Sequence, residues 1–188
     1  MFAIIYAAML LIVLFQLLVA IGLIRKVQRL QVVLEQRGLP RPSIGSISPA
    51  FDIIDIGTGA AVPSALALRN QLTLLLFLTG SCPKCRALLD ALRATRLPED
   101  IQNLLLICAG DVETCEPLLR NVPSRYHRYC SGESLILGHF RIASFPSAVI
   151  VDSEQIVRGY GNPLSVRELE EFIIHTLQKS DGARMATT

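Results

Sequence analysis

The chain has 188 residues, 51% of them hydrophobic and 18% charged, with a formal net charge of +2; its mean hydropathy is +0.45. That apolar content excludes disorder of the whole, and the length allows one domain of ordinary size plus an appendage. So small a charge gives no electrostatic footprint for nucleic acid, and five cysteines, an odd number, cannot all pair within the chain.

From Met1 to Ile24 no residue is charged. About twenty apolar residues cross a hydrocarbon core of ~30 Å as a helix, so residues 1–24 are predicted to be a retained transmembrane anchor. A cleaved signal peptide would want a basic stretch before the run and a small-residue site after it, and neither is present; a buried core helix is the plainer alternative. Arg25, Lys26 and Arg29 follow the run, and basic residues on that flank argue for a cytoplasmic domain. Val27, Leu30, Val33 and Leu34 continue at helical spacing as a juxtamembrane helix. The stretch LPRPSIGSISP, 39–49, is rich in proline and serine and is expected to be an exposed linker without a core of its own.

The globular domain is expected over 50–179. Phe51 to Ile56 alternates apolar and acidic residues before a Gly-Thr-Gly turn, a strand entering a hairpin. Leu72 to Leu78, LTLLLFL, is an unbroken apolar run, as in a strand buried on both faces. Pro83 suits a first helical position, and Ala87, Leu88, Ala91 and Leu92 repeat at helical spacing. Leu104 to Cys108 reads as a second buried strand, and Val112 to Asn121 as a helix. Ser147 to Val151 and Gln155 to Tyr160 flank turn residues as a hairpin. Ser165 caps the last predicted helix, Ser165 to Gln178, with Glu168 completing a capping box; residues 180–188 read as a disordered tail. Strands alternating with helices, then a hairpin and a helix, imply an α/β fold with a mixed central sheet and flanking helices.

The chemistry concentrates in Cys82-Pro83-Lys84-Cys85. Between a buried strand and a helix, the first thiol stands at a helix N-terminus, where unpaired N–H groups favour an anion, so Cys82 is expected to be an exposed nucleophile of lowered pKa. Cys85, one turn on, can resolve a mixed disulfide, and Lys84 adds a positive charge. The alternatives are two structural cysteines or half a zinc site; Cys108 and Cys115, with six residues between them, are a poorly spaced second ligand pair. No metal or cofactor is predicted. Cys108 ends an apolar strand and reads as a buried, inert thiol, while Cys115 and Cys130 can pair with each other or with Cys108 in an oxidising compartment. The basic-aromatic stretch Arg125 to Tyr129 reads as a solvated face.

A buried strand, CPKC, a helix, and Phe145-Pro146 directly before the hairpin resemble the thioredoxin fold, in which a cis-proline faces the dithiol. The resemblance makes Pro146 the candidate cis-proline, with a trans-proline opening a strand as the alternative. The uncharged anchor, the IRKVQRL neck, PAFDIIDI, LLLFLTGSCPKC and FPSAVIVD, in this order, resemble the MauD family of methylamine-utilisation proteins, related to TlpA-type oxidoreductases. That resemblance implies a thiol–disulfide oxidoreductase of the cytoplasmic membrane with a periplasmic domain. Its implied partners are the bilayer, a membrane redox partner and an exported cysteine-rich client, the methylamine dehydrogenase small subunit. Cys82 would attack and Cys85 resolve. A tethered scaffold without redox turnover is the alternative from another class.

Two features depart from the thioredoxin pattern. Leu76 stands where many members carry a buried carboxylate, so no proton acceptor for Cys85 is identified, and Glu133, His127 and His139 cannot be nominated. Gly80-Ser81 replaces the usual tryptophan. A peroxiredoxin-like reading keeps Thr79 but finds Leu75 in place of its motif proline.

Overall fold

The computed structural model describes residue 16 and residues 43–185 apart from 69, 96, 99, 100, 134, 135, 137, 139 and 143. The run 1–24, read as an anchor, lies outside the described residues except for Gln16, and the neck lies wholly outside them; among the described residues no helix is long and apolar enough to cross a membrane. The chain divides into two units, Met1–Leu39 and Pro40–Thr188. All the strands and helices below belong to the second.

Its strands are β1 (Asp52–Asp55), β2 (Ala61–Pro63), β3 (Thr73–Thr79), β4 (Asn103–Ala109), β5 (His127–Ser131), β6 (Ser147–Val151) and β7 (Val157–Gly161). They form one mixed sheet in the order β2-β1-β5-β4-β3-β6-β7. Its named helices are α1 (Ser64–Ala67), α2 (Pro83–Ala94), α3 (Val112–Leu119) and α4 (Val166–Met185). β3 pairs parallel with β4 and antiparallel with β6.

Leu74 to Leu78 are all fully buried, because alternate side chains of a strand point to opposite faces and both faces of β3 are covered. Leu74, Leu76 and Leu78 pack with Leu88 and Leu92 of α2, Leu119 of α3 and Leu169 and Ile173 of α4. Leu75 and Phe77 pack on the opposite face with Phe51, Ile53 and Phe140. Each leucine withdrawn from water in this way contributes about 1.5–3 kcal/mol.

Three sequence expectations need correction. Residues 43–47 are exposed, as expected of the linker, but the stretch is tied to the domain: Gly45 N–H donates to Val157 O at 2.8 Å, Val157 N–H to Ser46 O at 2.9 Å and Ser48 N–H to Gln155 O at 2.7 Å. The unpaired backbone on the outer side of the β6–β7 turn supplies partners for this stretch. The solvated face expected around Arg125 to Tyr129 holds a strand, β5, with Tyr126 and Tyr129 buried. Neighbours on both sides, β4 in parallel and β1 antiparallel, override its polar composition. The last helix runs on to Met185, since nothing in 180–185 is a proline and Ala183, Arg184 and Met185 are good helix formers.

Candidate active site

β3 delivers the chain to the site and α2 carries it away. After Thr79 the backbone turns through Gly80 and Ser81, with Cys82 N–H donating to Thr79 O at 3.2 Å. Gly80 is needed there because a β-carbon would fall 2.9 Å from the Thr114 carbonyl oxygen at the start of α3. Cys82 is the N-cap of α2 in extended conformation, Pro83 occupies the first turn, and the Cys82 Sγ accepts the Cys85 N–H at 3.1 Å. The sulfur thus occupies the place where a Ser or Asp oxygen usually takes an orphan N–H. Cys82 is partly exposed, Lys84 is exposed and Cys85 is buried.

Burial, first, and then the hydrogen bond with Cys82 push the Cys85 thiol up to about 12. Cys85 is therefore a neutral thiol while the fold is closed, and of the two residues Cys82 is the one open to solvent. Leu76 is fully buried in β3 and Glu133 is exposed. His127 is exposed on β5, and His139 lies outside the described residues. Two thiols one helical turn apart, one partly exposed and one enclosed, can form an internal disulfide or pass a mixed disulfide from the outer sulfur to the inner.

The second wall of the site comes from the loop before β6. The Phe145–Pro146 peptide is cis, Phe145 is half-buried and Pro146 is buried. The Cys82 thiol lies 3.6 Å from the Phe145 carbonyl oxygen, to which it donates. This loop is tied from behind by groups that sequence reasoning missed. Asn162 Nδ2 donates to Ser147 Oγ at 2.6 Å, Ser144 Oγ at 3.0 Å and Pro146 O at 3.3 Å. The Asn162-Pro163 step after β7 is a turn signal that could have drawn attention to Asn162; nothing marks Ser144 or Ser147.

The remaining cysteines depart from the first expectation. Cys108 is not an inert thiol: it is bonded to Cys115, with Cα atoms 5.7 Å apart, and Cys130 is the free buried thiol. The physical reason is placement. β4 ends at Ala109, the Gly110 turn with φ +142° reverses the chain, and α3 lays Cys115 back over the strand it has just left. Asp111 caps α3 through Thr114 N–H at 2.8 Å, and these hydrogen bonds hold its carboxyl below the usual range. Among the described residues no three His, Cys, Asp or Glu side chains are grouped to hold a metal ion.

No family model matches the chain. The methylamine utilization protein MauD of Paracoccus versutus is 27% identical over 164 residues, which span 82% of this chain and 79% of the relative. That of Paracoccus denitrificans is also 27% identical, over 82% of this chain and 78% of its own. The chain is similar to the MauD proteins. The MauD likeness covers far more than the CPKC segment, as a chain-long resemblance should. Among solved structures, the thioredoxin domain of a thiol-disulfide oxidoreductase from Bacteroides vulgatus superposes with a TM-score of 0.54 at 18% identity, covering 71% of this chain and 96% of that domain. StoA from Bacillus subtilis gives 0.52 at 14% identity, over 68% of this chain and 98% of its own. The fold of the second unit is thioredoxin-like.

Proposed function

We propose that this protein is a membrane-tethered thiol–disulfide oxidoreductase that matures an exported, cysteine-rich client. By the MauD likeness, the client is the methylamine dehydrogenase small subunit. The observation that carries the reading is the pairing of a partly exposed Cys82, its sulfur held by the Cys85 N–H at 3.1 Å, with a buried Cys85 behind it. In the reducing direction the Cys82 thiolate attacks one sulfur of a client disulfide. A mixed disulfide forms, and one client thiolate leaves. Cys85 then loses its proton and attacks Cys82 Sγ; the second client thiolate leaves, the motif ends oxidised and the client reduced. Disulfide formation is the same sequence in reverse, and isomerisation is the first step followed by return of the client's own thiol.

Pro83 starts the helix that presents Cys82, and Lys84 places a positive charge on the exposed first turn. Phe145 and Pro146 form the wall against which an extended client segment would lie. Residues 1–24 anchor the domain, which faces the exported side, where disulfides persist; a tether also concentrates the domain near a membrane redox partner. Arg25, Lys26 and Arg29 oppose that orientation, so it is tested first. A membrane-impermeant maleimide applied to reduced spheroplasts should label Cys82, and labelling only after lysis would put the domain in the cytoplasm.

The chemistry is tested by variants in the full chain. Cys82→Ser should abolish client maturation, and Cys85→Ser should accumulate a mixed disulfide between Cys82 and the client. Full maturation by the double variant would leave a scaffold role and refute the redox reading.

A further inference from the structure

We propose that Cys108, Cys115 and Cys130 form a second thiol–disulfide site, at which Cys130 exchanges into the Cys108–Cys115 bond and frees Cys115. This goes beyond the function proposed above, since it uses no atom of Cys82 or Cys85. Three observations carry it. Cys108 and Cys130 stand opposite each other in the parallel β4–β5 register. Neighbouring strands are about 4.7–4.9 Å apart, within the roughly 4.4–6.8 Å of Cα separation that a disulfide bridges. The existing partner, Cys115, sits at 5.7 Å from Cys108, inside the same range. Finally, all three side chains belong to the same buried face of the sheet, Cys108 and Cys115 with no exposed surface and Cys130 at 1%. An attacking thiol from solution has no path to this bond in the closed fold, whereas Cys130 is already beside it.

The step balances without an outside reagent. Cys130 Sγ gives up its proton and bonds to Cys108 Sγ; the Cys108–Cys115 bond breaks, its electron pair goes to Cys115 Sγ, and Cys115 takes up a proton. One disulfide and one thiol enter, and one of each leaves. Burial, chiefly, and the nearby Asp111 carboxylate raise the Cys130 thiol above its ordinary range, so little of it is thiolate at neutral pH and the exchange is slow. The consequence reaches the motif. Release of Cys115 removes the covalent tie between β4 and the first turns of α3, and that helix start holds the Thr114 carbonyl against Gly80, two residues before Cys82.

The test maps the bridge in the full chain, quenched in acid, alkylated without reduction and digested with trypsin. Cys108 and Cys115 share the peptide 97–120, and Cys130 lies on 129–141, so the present bond yields a looped peptide and an alkylated Cys130. Exchange should produce a cross-linked mass of the two peptides that grows with incubation, while the alkyl label moves one for one from Cys130 to Cys115. Cleavage after Glu113 should place the bridge on Cys108. A bridge on Cys115, or the looped peptide alone after long incubation, overturns the proposal. The same swap should occur in the Cys82→Ser/Cys85→Ser chain, so loss of the motif's activity and failure of the exchange are read separately; disappearance of the swap there would make the motif the exchanging group and overturn the proposal. As a second variant, Cys115→Ser treated with diamide should join Cys108 to Cys130, and two free thiols after that treatment overturn it as well.

Discussion

Gly159 of β7 lies against Thr176 of α4 with no room for a side chain: a β-carbon there would fall 2.6 Å from both Thr176 Oγ1 and Cγ2. Thr176 is buried, and its own β-carbon, which rotation about χ1 does not move, would lie 3.2 Å from the added one. Gly159→Ala should therefore destabilise the domain by about 1–3 kcal/mol through overpacking. Thermal unfolding reads this as a lowered midpoint. Thr176→Ala in the same chain should restore part of the loss, and a double-mutant cycle with no coupling would show that the helix shifts instead of clashing.

Asp152 holds the β6–β7 turn from inside. Its Oδ1 accepts the N–H of Glu154 at 2.9 Å and of Ile156 at 2.8 Å, and its Oδ2 accepts Arg158 Nε at 2.6 Å. The carboxylate side chain is 5% exposed and that of Arg158 is 29% exposed. Asp152→Ala strands two backbone donors and the guanidinium, so a loss of about 2–4 kcal/mol is expected, tempered by the solvent that reaches Arg158. Asp152→Asn keeps an acceptor for the backbone and should cost less. Equal urea midpoints for the two variants would assign the stability to the ion pair alone.

What could be read from residues alone was whatever depends on short-range pattern. LTLLLFL reads as a doubly buried strand because no polar residue interrupts it, and CPKC falls at a strand–helix junction because Pro83 tolerates only the first helical turn. The capping residues of α4 were also legible: Glu168 N–H donates to Ser165 Oγ at 3.2 Å. The Glu168 carboxylate reaches one residue further back than a capping box predicts, to Leu164 N–H at 2.9 Å. β5 was not legible, because HRYCS has no apolar run and owes its strand to partners more than twenty residues before it in the chain. The Cys108–Cys115 bond was one of several pairings that composition allowed, and only the reversal at Gly110 selects it. Asn162 reaches the candidate site through a fold-level return of β7 alongside β6, which local pattern does not encode.

The Cys85 thiol gives a stability that depends on pH. In the unfolded chain this thiol ionises near 9.0, the ordinary value of a free cysteine, whereas in the reduced fold it holds its proton up to about 12. Between those values the folded state binds the extra proton, so its stability is intact below pH 9 and declines as pH climbs toward 12. Cys85→Ser carries a hydroxyl that does not titrate in this window and should lack that component, while Tyr129 and Cys130 titrate in both chains. Urea unfolding of the two reduced proteins from neutral to alkaline pH should show the gap between them changing only above pH 9. Parallel curves throughout would mean that Cys85 is open to water.

Asn162 links the loop before β6 to the strand after it, so its substitution separates positioning from simple stability. The side chain donates to Ser147 Oγ at 2.6 Å, Ser144 Oγ at 3.0 Å and Pro146 O at 3.3 Å, and Ser147 Oγ in turn donates to Ser144 O. The residue itself is exposed, so Asn162→Ala should lower global stability by only about 1 kcal/mol. Its effect should fall on residues 144–146, whose Phe145 carbonyl lies beside the Cys82 thiol. On the reading that this wall receives the client, Asn162→Ala should raise KM for a disulfide substrate more than it lowers kcat, because the sulfurs are untouched while the docking wall loosens. Asn162→Asp replaces two N–H donors with acceptors aimed at the Pro146 carbonyl and should be the worse of the two. Equal kinetics for both variants and the parent would remove Asn162 from any positioning role and leave it as a surface tie between loop and strand.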